Sequence, residues 1–339
     1  MTVAVVTSSP PGVDGGHLVI ARALARALER SGHRSEVVTT PDYGFGQLTR
    51  TYRAARNTDV SRFDRVVSLR YPSFAVRHPR HVCWLNHTMR EYYDLWPRFA
   101  ASISWRNQIK EGFRRAILHG VDGWLLRHNV SRIVAQSKTI AQRLAGTFEI
   151  RSDVVYPPAP LDGYRCEAYG DYIFTVSRLD PLKRVDLLVR ALAEWPARRV
   201  RAVIAGEGEQ ATDLRALADR LGVSDRVTFL GRVDDETMQM HLAQCRAVAF
   251  TPFAEDYGFV TIEAFASGKA VITCRDSGGP AELVEDDASG VICEPTVGAV
   301  AIAIARLADD ERLAERLGAG AATRAASITW PDAVSRLLL

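Results

Sequence analysis

Two carboxylates stand eight residues apart around a glycine turn in the second half of the chain. Glu255 and Glu263 bound the segment E-D-Y-G-F-V-T-I-E, which follows an apolar strand and opens a helix predicted over Thr261–Ser267. Gly258 lets the backbone approach a ligand, and the first amides of a helix can donate to hydroxyls or anionic oxygens. The pattern favours a polyhydroxylated ligand. The alternative is that Glu255 is a surface residue and Glu263 only charges the first helical turn.

Two cations occur in a proline-containing loop earlier in the same half. Arg178 and Lys183 lie in S-R-L-D-P-L-K, directly after a strand predicted over Tyr172–Ser177. Ligands of open α/β sheets bind at the carboxyl edge of the strands, where this loop would lie. Because Arg offers a fork of donors and Lys a point charge, the loop suits a phosphate or pyrophosphate. A solvated pair of surface cations is the alternative.

A glycine-rich loop, S-P-P-G-V-D-G-G, ends at Gly16 and links the first predicted strand to the first predicted helix. It lets a ligand approach the helix start, but it is not the G-x-G-x-x-G of dinucleotide-binding proteins. The G-E-G at 206–208 is too short to count as that fingerprint, and the S-G-G-P-A-E at 277–282 is weak by itself. A dinucleotide site is therefore not indicated.

One histidine is a further candidate. His87, in W-L-N-H-T, follows a strand predicted over His81–Leu85, which would carry it to an edge of the sheet. A lone histidine is more often structural than catalytic, so position alone does not decide its role. No D-x-D triplet occurs, which argues against a carboxylate-held metal.

The cysteines and the hydropathy pattern indicate the compartment. The five cysteines are an odd number without a C-x-x-C pair, so neither a disulfide framework nor structural zinc is expected. The first apolar run is too short for a secretory signal, and no window approaches the roughly 20 apolar residues that cross a bilayer. We expect a cytoplasmic protein, with peripheral contact at the inner face of the cell membrane left open.

Short β-branched runs alternate with longer amphipathic stretches, which is typical of an α/β protein with parallel sheets. The chain of 339 residues is long enough for two domains. The prolines in Val154–Asp162 mark the best hinge. Residues 1–160 carry 23 Lys and Arg against 12 Asp and Glu, whereas residues 161–339 carry 20 against 28, so one half is basic and the other acidic. Predicted strands and helices are Val3–Thr7, Gly16–Ser31, Ser35–Thr39, Arg65–Leu69, His81–Leu85, Trp105–His128, Arg132–Ala135, Tyr172–Ser177, Val200–Ala205, Val227–Leu230, Ala247–Thr251, Ala270–Cys274 and Gly290–Cys293.

Together, E-x-[FY]-G-x-x-x-x-E, S-R-L-x-x-x-K, the glycine loop, S-G-G-x-x-E and the Pro-Pro hinge resemble the retaining glycosyltransferases of family 4, over nearly the whole chain. The resemblance implies the GT-B fold: two doubly wound Rossmann-like domains facing a cleft, with a C-terminal helix that crosses back to the N-terminal domain. We predict an acceptor-binding domain over 1–158 plus a helix over 328–339, and a donor-binding domain over 159–327. Trp330 would anchor the returning helix.

The resemblance also implies roles for single residues. Arg178 and Lys183 would hold the donor diphosphate, Glu255 would contact the donor sugar, and Glu263 would bind the ribose hydroxyls. His87 would hydrogen-bond the donor sugar. The remaining donor-binding residues would be Gly16 at the diphosphate, Val233 at the nucleobase, and the turn of Gly258, Phe259 and Val260.

We therefore expect a hexosyltransferase that uses a UDP- or GDP-sugar and an acceptor hydroxyl, retains the anomeric configuration by front-face displacement, and needs neither a cofactor nor a metal. Another GT-B enzyme, such as a sugar-nucleotide epimerase or a phosphorylase, and a non-catalytic sugar-nucleotide scaffold are the alternatives. No nucleic acid is expected as a partner.

The acceptor is not determined by the sequence. Saccharide, glycolipid and natural product all stay open, and so does an acidic or lipid-linked molecule. The stretch Arg98–Arg115, with Trp105 and Phe113 among its cations, is either a basic amphipathic surface for anionic lipid or an ordinary solvated helix face.

Overall fold

The computed structural model describes residues 1–9 and 17–339. They form two compact units, one of Met1–Pro160 with Thr329–Leu339 and one of Leu161–Ile328. They are called unit 1 and unit 2 below. The first division lies two residues after the predicted boundary at 158, and the second lies one residue after the predicted boundary at 327. Unit 1 is discontinuous because the end of the chain returns to it.

Unit 1 is built on a six-stranded parallel sheet in the order β2-β1-β3-β4-β5-β6. Its strands are β1 (Thr2–Ser9), β2 (Arg34–Pro41), β3 (Arg65–Ser68), β4 (His81–Leu85), β5 (Arg132–Ala135) and β6 (Asp153–Val154). Its helices before the hinge are α1 (His17–Arg30), α2 (Leu48–Arg56), α3 (Trp96–Ala101), α4 (Trp105–His128) and α5 (Lys138–Phe148). Buried aliphatic strands between helices give the near-continuous apolar runs that parallel sheets require.

Unit 2 has a second six-stranded parallel sheet, in the order β12-β11-β10-β7-β8-β9. Its strands are β7 (Tyr172–Val176), β8 (Arg201–Ala205), β9 (Val227–Gly231), β10 (Ala247–Ala249), β11 (Val271–Cys274) and β12 (Gly290–Cys293). Its helices are α6 (Val185–Ala191), α7 (Ala211–Arg220), α8 (Asp235–Gln244), α9 (Phe259–Ala266), α10 (Gly279–Leu283), α11 (Val297–Asp309) and α12 (Glu311–Ala326).

The last helix, α13 (Trp330–Leu338), belongs to unit 1. Trp330 donates from Nε1 to the carbonyl oxygen of Ala159 at 3.2 Å. Its ring meets the buried ring of Trp84 edge-on, with 6.3 Å between centroids. The predicted return of the chain to the N-terminal domain, and the anchoring by Trp330, are confirmed.

The predicted strands agree closely with the structure, because most of them are short apolar runs that are buried in the sheets. The two-residue β6 was not predicted, since it is too short to have a pattern. The helix predicted over Thr261–Ser267 begins two residues earlier, at Phe259, because Gly258 adopts a φ of 80° and the helix starts directly after it.

No helix within residues 1–9 and 17–339 combines the length and the apolar character needed to cross a bilayer.

Candidate functional site

The candidate site of unit 2 lies where the strand order of its sheet reverses. Strand β7 pairs with β10 on one side and with β8 on the other, so the connections run in opposite directions from it. The loops after β7 and β10 therefore leave the sheet as neighbours at its carboxyl edge, which is where open α/β sheets bind ligands. The first loop carries Arg178 and Lys183, and the second carries Glu255.

An ion pair joins these two loops. The Nζ atom of Lys183 lies 2.6 Å from Oε2 of Glu255, and the two side chains are 14% and 17% exposed. The ammonium also lies 5.7 Å from the centroid of the Phe250 ring. A charge pair this sheltered from water is screened far less than a surface pair. The structure thus brings together two of the residues predicted for the site.

Arg184, next to Lys183 in sequence, holds three loops together. Its guanidinium makes a bidentate pair with the carboxylate of Asp276 at 2.7 and 2.8 Å. It also donates to the carbonyl oxygens of Thr251 and Pro252, at 2.8 and 2.7 Å. The loops after β7, β10 and β11 are therefore fixed to one another through a planar fork that a lysine would not reproduce.

The S-G-G-P-A-E turn at 277–282 holds the Glu255 segment through backbone hydrogen bonds. The amide of Glu255 donates to the carbonyl oxygen of Ser277 at 2.8 Å, and the amide of Gly279 donates back to the carbonyl oxygen of Glu255 at 2.9 Å. A Cβ at Gly278 would lie 2.4 Å from the oxygen of Glu255, and one at Gly279 would lie 2.4 Å from the oxygen of Tyr257. Only glycine permits this backbone contact.

The G-E-G segment has the same role beside Arg178. A Cβ at Gly206 would lie 1.8 Å from the carbonyl oxygen of Ser177, and one at Gly208 would lie 2.3 Å from that of Leu179. The amide of Leu179 donates to the carbonyl oxygen of Glu207 at 2.9 Å. These glycines let two strand-end loops touch, which the sequence did not predict for them.

The turn into α9 carries three of the predicted donor-binding residues. Gly258 has a φ of 80° and precedes the first helical residue, Phe259, with Val260 following. A Cβ at Gly258 would come within 2.7 Å of the Pro280 ring. The amides of Phe259 and Val260 begin α9 ahead of its first internal hydrogen bonds, so they can donate to the oxygens of a ligand.

Glu263 lies one turn into α9 and is buried, with 7% of its surface exposed. Its Oε1 accepts a hydrogen bond from the hydroxyl of Tyr164 at 3.1 Å. Burial is the main cause that raises the pKa of Glu263 to about 7, and the bond from Tyr164 opposes that rise. The alternative that Glu263 only charges the first helical turn is wrong, because the helix begins four residues earlier, at Phe259, and the Glu263 side chain is buried.

The other predicted residues are less enclosed. The side chain of Arg178 is 82% exposed and lies 3.5 Å from the carboxylate of Asp180. Val233, in the loop after β9, is half-buried. In unit 1, Gly16 lies outside the described residues.

His87 follows β4 by two residues and is half-buried. Its Nδ1 lies 2.7 Å from the carbonyl oxygen of Thr88, and its own carbonyl oxygen accepts from the amide of Tyr71 at 3.1 Å. This fixes the backbone at the end of β4.

Three residues of this site were missed from the sequence. Arg184 had only its place beside Lys183 as a signal, and Asp276 had only its place beside the S-G-G turn. Tyr164 had none, because its partner Glu263 is 99 residues away.

The sequence of this region matches a known family. Residues 169–324 match the model of the family described as "Glycosyl transferases group 1". The chain contains a glycosyl transferase group 1 domain. That domain holds the Lys183–Glu255 pair, Arg178, Glu263 and the turn at Gly258.

Relatives of known name match part of the chain. The "D-inositol 3-phosphate glycosyltransferase" of Nocardia farcinica is 36% identical over 234 residues, which are 61% of this chain and 51% of the relative. The protein of the same name in Mycolicibacterium smegmatis is 31% identical over 227 residues, with the same coverage. The match thus spans about half the length of these curated relatives.

The fold is that of the GT-B glycosyltransferases. Anabaena HepE, in its crystal structure with UDP and glucose, superposes with a TM-score of 0.71 at 22% identity over 98% of each chain. Sucrose-phosphate synthase from Thermosynechococcus elongatus gives a TM-score of 0.76 at 18% identity, over 98% of this chain and 97% of its own. The predicted GT-B fold with two Rossmann-like domains is confirmed.

Proposed function

We propose that this protein is a retaining glycosyltransferase that moves a hexose-type sugar from a UDP- or GDP-sugar to an acceptor hydroxyl. The observation that carries the proposal is the ion pair of Lys183 with Glu255 at the reversal point of the unit 2 sheet. A cation and a carboxylate at that edge suit a ligand that is anionic at one end and hydroxylated at the other.

The cations act on the diphosphate. Lys183 and Arg178 bind its oxygens and stabilise the negative charge that builds up on the leaving nucleotide. Donors aimed at developing charge usually give the largest single contribution to catalysis. Removing one of these cations is therefore expected to reduce turnover by roughly 10²–10³.

The remaining donor-binding residues hold the sugar and the nucleoside. Glu255 and the amides near Gly258, Phe259 and Val260 contact the donor sugar. Glu263 binds the ribose hydroxyls, and its raised pKa, about 7, suits a carboxyl group that exchanges hydrogen bonds with hydroxyls. Val233 stays a prediction for the nucleobase.

Two unit 1 residues also stay predictions. The resemblance implies that His87 hydrogen-bonds the donor sugar as the anomeric bond loosens, and that a backbone amide at Gly16 approaches the diphosphate.

We propose that the acceptor attacks the face of the sugar from which the nucleotide departs. The acceptor oxygen forms the new bond to the anomeric carbon, the bond from that carbon to the diphosphate breaks, and the acceptor proton passes to the departing phosphate. This route needs no protein nucleophile and keeps the anomeric configuration. We also propose that it proceeds without a metal, because Arg178 and Lys183 offer the positive charge.

A panel of donors tests the proposal. HepE was crystallised with UDP-glucose, so UDP-sugars come first and GDP-sugars second. Nucleotide release is measured with acceptors that include D-inositol 3-phosphate, from the name of the relatives, simple saccharides and lipid-linked saccharides. Two results together support the proposal: nucleotide release that requires an acceptor, and a product whose anomeric configuration, determined by NMR, is the same as that of the donor.

Four results contradict parts of it. Absence of both turnover and donor-dependent thermal shift contradicts nucleotide-sugar binding. Conversion of the donor sugar to its epimer without an acceptor indicates an epimerase, and dependence on inorganic phosphate indicates a phosphorylase. Loss of turnover in EDTA contradicts metal independence.

A further inference from the structure

Helix α4 presents a bare apolar stripe to solvent along most of its length. Among the residues that the structure describes, twelve large apolar side chains are exposed, and six of them lie on this one helix. They recur every three or four residues, so successive members lie side by side and form a stripe about 28 Å long that turns gradually around the helix. The six are Trp105 (66% exposed), Ile109 (67%), Phe113 (70%), Ile117 (51%), Val121 (37%) and Trp124 (52%).

The opposite side of α4 already has its packing partners. Leu118, Leu125 and Leu126 are buried against a core that includes Tyr92, Phe148 and other unit 1 residues. The stripe is thus a second apolar face, which the fold of unit 1 does not cover. A contiguous exposed patch of this kind marks a site of interaction.

The charges along α4 have one predominant sign. The helix carries five Arg and Lys residues and two acids. Both acids are engaged: Glu111 accepts from the Tyr92 hydroxyl at 2.6 Å and pairs with Arg114 at 2.9 Å, and Asp122 is buried and accepts from tyrosine hydroxyls. The cations on the helix are Arg106, Lys110, Arg114, Arg115 and Arg127.

The cations lie where they would flank an inserted stripe. Arg106 and Lys110 are exposed, and each follows a stripe residue by one position. The guanidinium of Arg106 lies 5.3 Å from the Trp105 ring centroid. Long basic side chains can rest on apolar surface while their charges reach outward to phosphate groups.

A groove continues the stripe at its C-terminal end. It has a volume of about 390 Å³ and runs between α4 and α2, beside Val121 and Trp124. Arg53 and Arg56 of α2 line it, and the guanidinium of Arg56 lies 5.8 Å from the Trp124 ring centroid. Cations and apolar surface therefore stay together to the end of the helix.

We propose that the exposed face of α4 docks on a bilayer that contains anionic phospholipid, with the stripe inserted between head groups and the cations against their phosphates. Apolar residues on one face with Lys and Arg beside them are the features of helices that lie in the membrane interface. A second copy of this chain fits less well, because a symmetric contact would bring the same cations face to face. The proposal does not rest on the proposed sugar transfer.

Flotation of the full chain with vesicles tests this directly. The wild type is expected to float with vesicles made of equal parts phosphatidylglycerol and phosphatidylcholine, and at least ~10-fold less with phosphatidylcholine alone. Raising NaCl from about 50 to about 500 mM should weaken the binding, because salt screens the contribution of the cations. Equal binding to both vesicles, or no binding to either, overturns the proposal.

Matched variants separate the apolar and basic contributions. Ile109→Ser with Phe113→Ser and Ile117→Ser removes the centre of the stripe and should lower partitioning at least ~10-fold. The control is Trp195→Ser with Ile302→Ser, which likewise replaces exposed apolar residues by serine, but in unit 2. These residues are 75% and 60% exposed, and the variant should float like the wild type. Arg106→Gln with Lys110→Gln should remove much of the preference for anionic vesicles, and Arg106→Lys with Lys110→Arg should retain it.

Three further measurements separate loss of binding from loss of folding and report insertion directly. The far-UV spectrum and thermal midpoint of the stripe variant should match the wild type, since all three side chains are exposed. Brominated lipid should quench tryptophan fluorescence, and Trp105→Phe with Trp124→Phe should remove most of that quenching. A stripe variant that floats as well as the wild type overturns the proposal, as does a dimer in solution that the same substitutions dissociate.

Discussion

Lys183 and Glu255 are 72 positions apart in the sequence, yet Nζ of the first lies 2.6 Å from Oε2 of the second. In the proposed function these residues bind adjacent parts of one donor, the diphosphate and the sugar. A diphosphate that binds Lys183 must therefore compete with Glu255 for the ammonium group. In the proposed function Glu255 would therefore have two opposite effects: its carboxylate would hold the donor sugar, and it would weaken the binding of the free nucleotide.

Glu255→Gln separates these effects. We expect UDP or GDP to bind about 3- to 10-fold more tightly, which is at most about 1.4 kcal/mol, because the carboxylate that competes for Lys183 is lost. Turnover of the nucleotide-sugar should fall, because the sugar contact is weakened. Calorimetric titration with the nucleotide and a nucleotide-release assay measure the two.

The control for that variant is Asp171→Asn, which removes an exposed acid that is paired with Arg201 at the amino ends of β7 and β8, away from the candidate site. It should leave both quantities unchanged. If Glu255→Gln binds the nucleotide as weakly as the wild type or more weakly, the competition does not occur.

Arg178→Ala should reduce activity without reducing stability. The side chain is 82% exposed, so we expect the free energy of unfolding to change by less than about 0.5 kcal/mol. Turnover should fall by roughly 10²–10³ if the guanidinium stabilises the departing diphosphate. The comparison is Arg201→Ala, also exposed and ion-paired, which should alter neither quantity. Wild-type turnover in Arg178→Ala would remove this residue from the proposed site.

Arg184 is expected to act on the site through its neighbours. Arg184→Met removes the bonds to Asp276, Thr251 and Pro252, and the free energy of unfolding should fall by about 1–3 kcal/mol. Nucleotide affinity should fall as well, because the loops after β7 and β10 are no longer held together. Arg184→Lys should restore little of either, since a point charge cannot replace the fork.

Chemical denaturation and nucleotide titration of both Arg184 variants check this. Arg190→Met, an arginine on α6 that is 49% exposed, is the control and should have little effect. Loss of stability with unchanged nucleotide affinity would leave Arg184 with a purely structural role.

We expect Glu263 to make the stability of unit 2 depend on pH. Its folded pKa is about 7, whereas the ordinary value is 4.5, so the folded state holds a proton that the unfolded chain releases in that window. The free energy of unfolding should therefore fall as pH rises from about 4.5 to about 7, by at most about 3 kcal/mol, and then level off. Glu263→Gln should lack this fall.

The quantity to measure is the wild-type free energy of unfolding minus that of Glu263→Gln, by denaturant titration at each pH. Other titrating groups cancel in the difference, including Asp122 in unit 1, whose pKa burial also raises to about 7. A difference that stays constant from pH 4.5 to 7 would show that Glu263 is not protonated in the folded state.

Gly278→Ala should damage both the fold and the site. The new Cβ would lie 2.4 Å from the carbonyl oxygen of Glu255, at a φ of 72° that side chains disfavour. We expect a loss of about 1–3 kcal/mol in the free energy of unfolding and lower turnover, because the Glu255 segment must move. Gly298→Ala, in α11 with nothing within 4 Å of the added Cβ, should instead be neutral or stabilising by up to about 1 kcal/mol. Equal stability of the two variants would contradict the contact.

Local sequence pattern was enough to predict the strands that carry the site. Strands β7 and β4 are short and mostly apolar, so they can be recognised from the local sequence without distant information. The same pattern puts Lys183 and Glu255 after strand ends, and therefore at the carboxyl edge of a sheet. Gly258 could also be singled out from the sequence, because the conformational freedom of glycine is a local property of the chain. Its φ is positive in the structure.

Helix α4 shows what the local sequence pattern could not predict. The sequence indicated a helix over Trp105–His128, with aromatic residues among its cations. It could not show which apolar face the core would cover, because that depends on how the helix packs in unit 1. The structure covers the face of Leu118, Leu125 and Leu126, and leaves the other face bare.

The sequence by itself determined the α/β class and which candidate residues follow the ends of strands, because periodicity and backbone preference act between near neighbours. Tertiary structure alone decided that β7 pairs with β10, and hence that Lys183 meets Glu255. It also decided that Glu263 is buried against Tyr164 and that Arg184 reaches Asp276. These contacts join positions 72 to 99 residues apart. The physical reason is that strand order and burial come from packing the whole chain, which no short segment encodes.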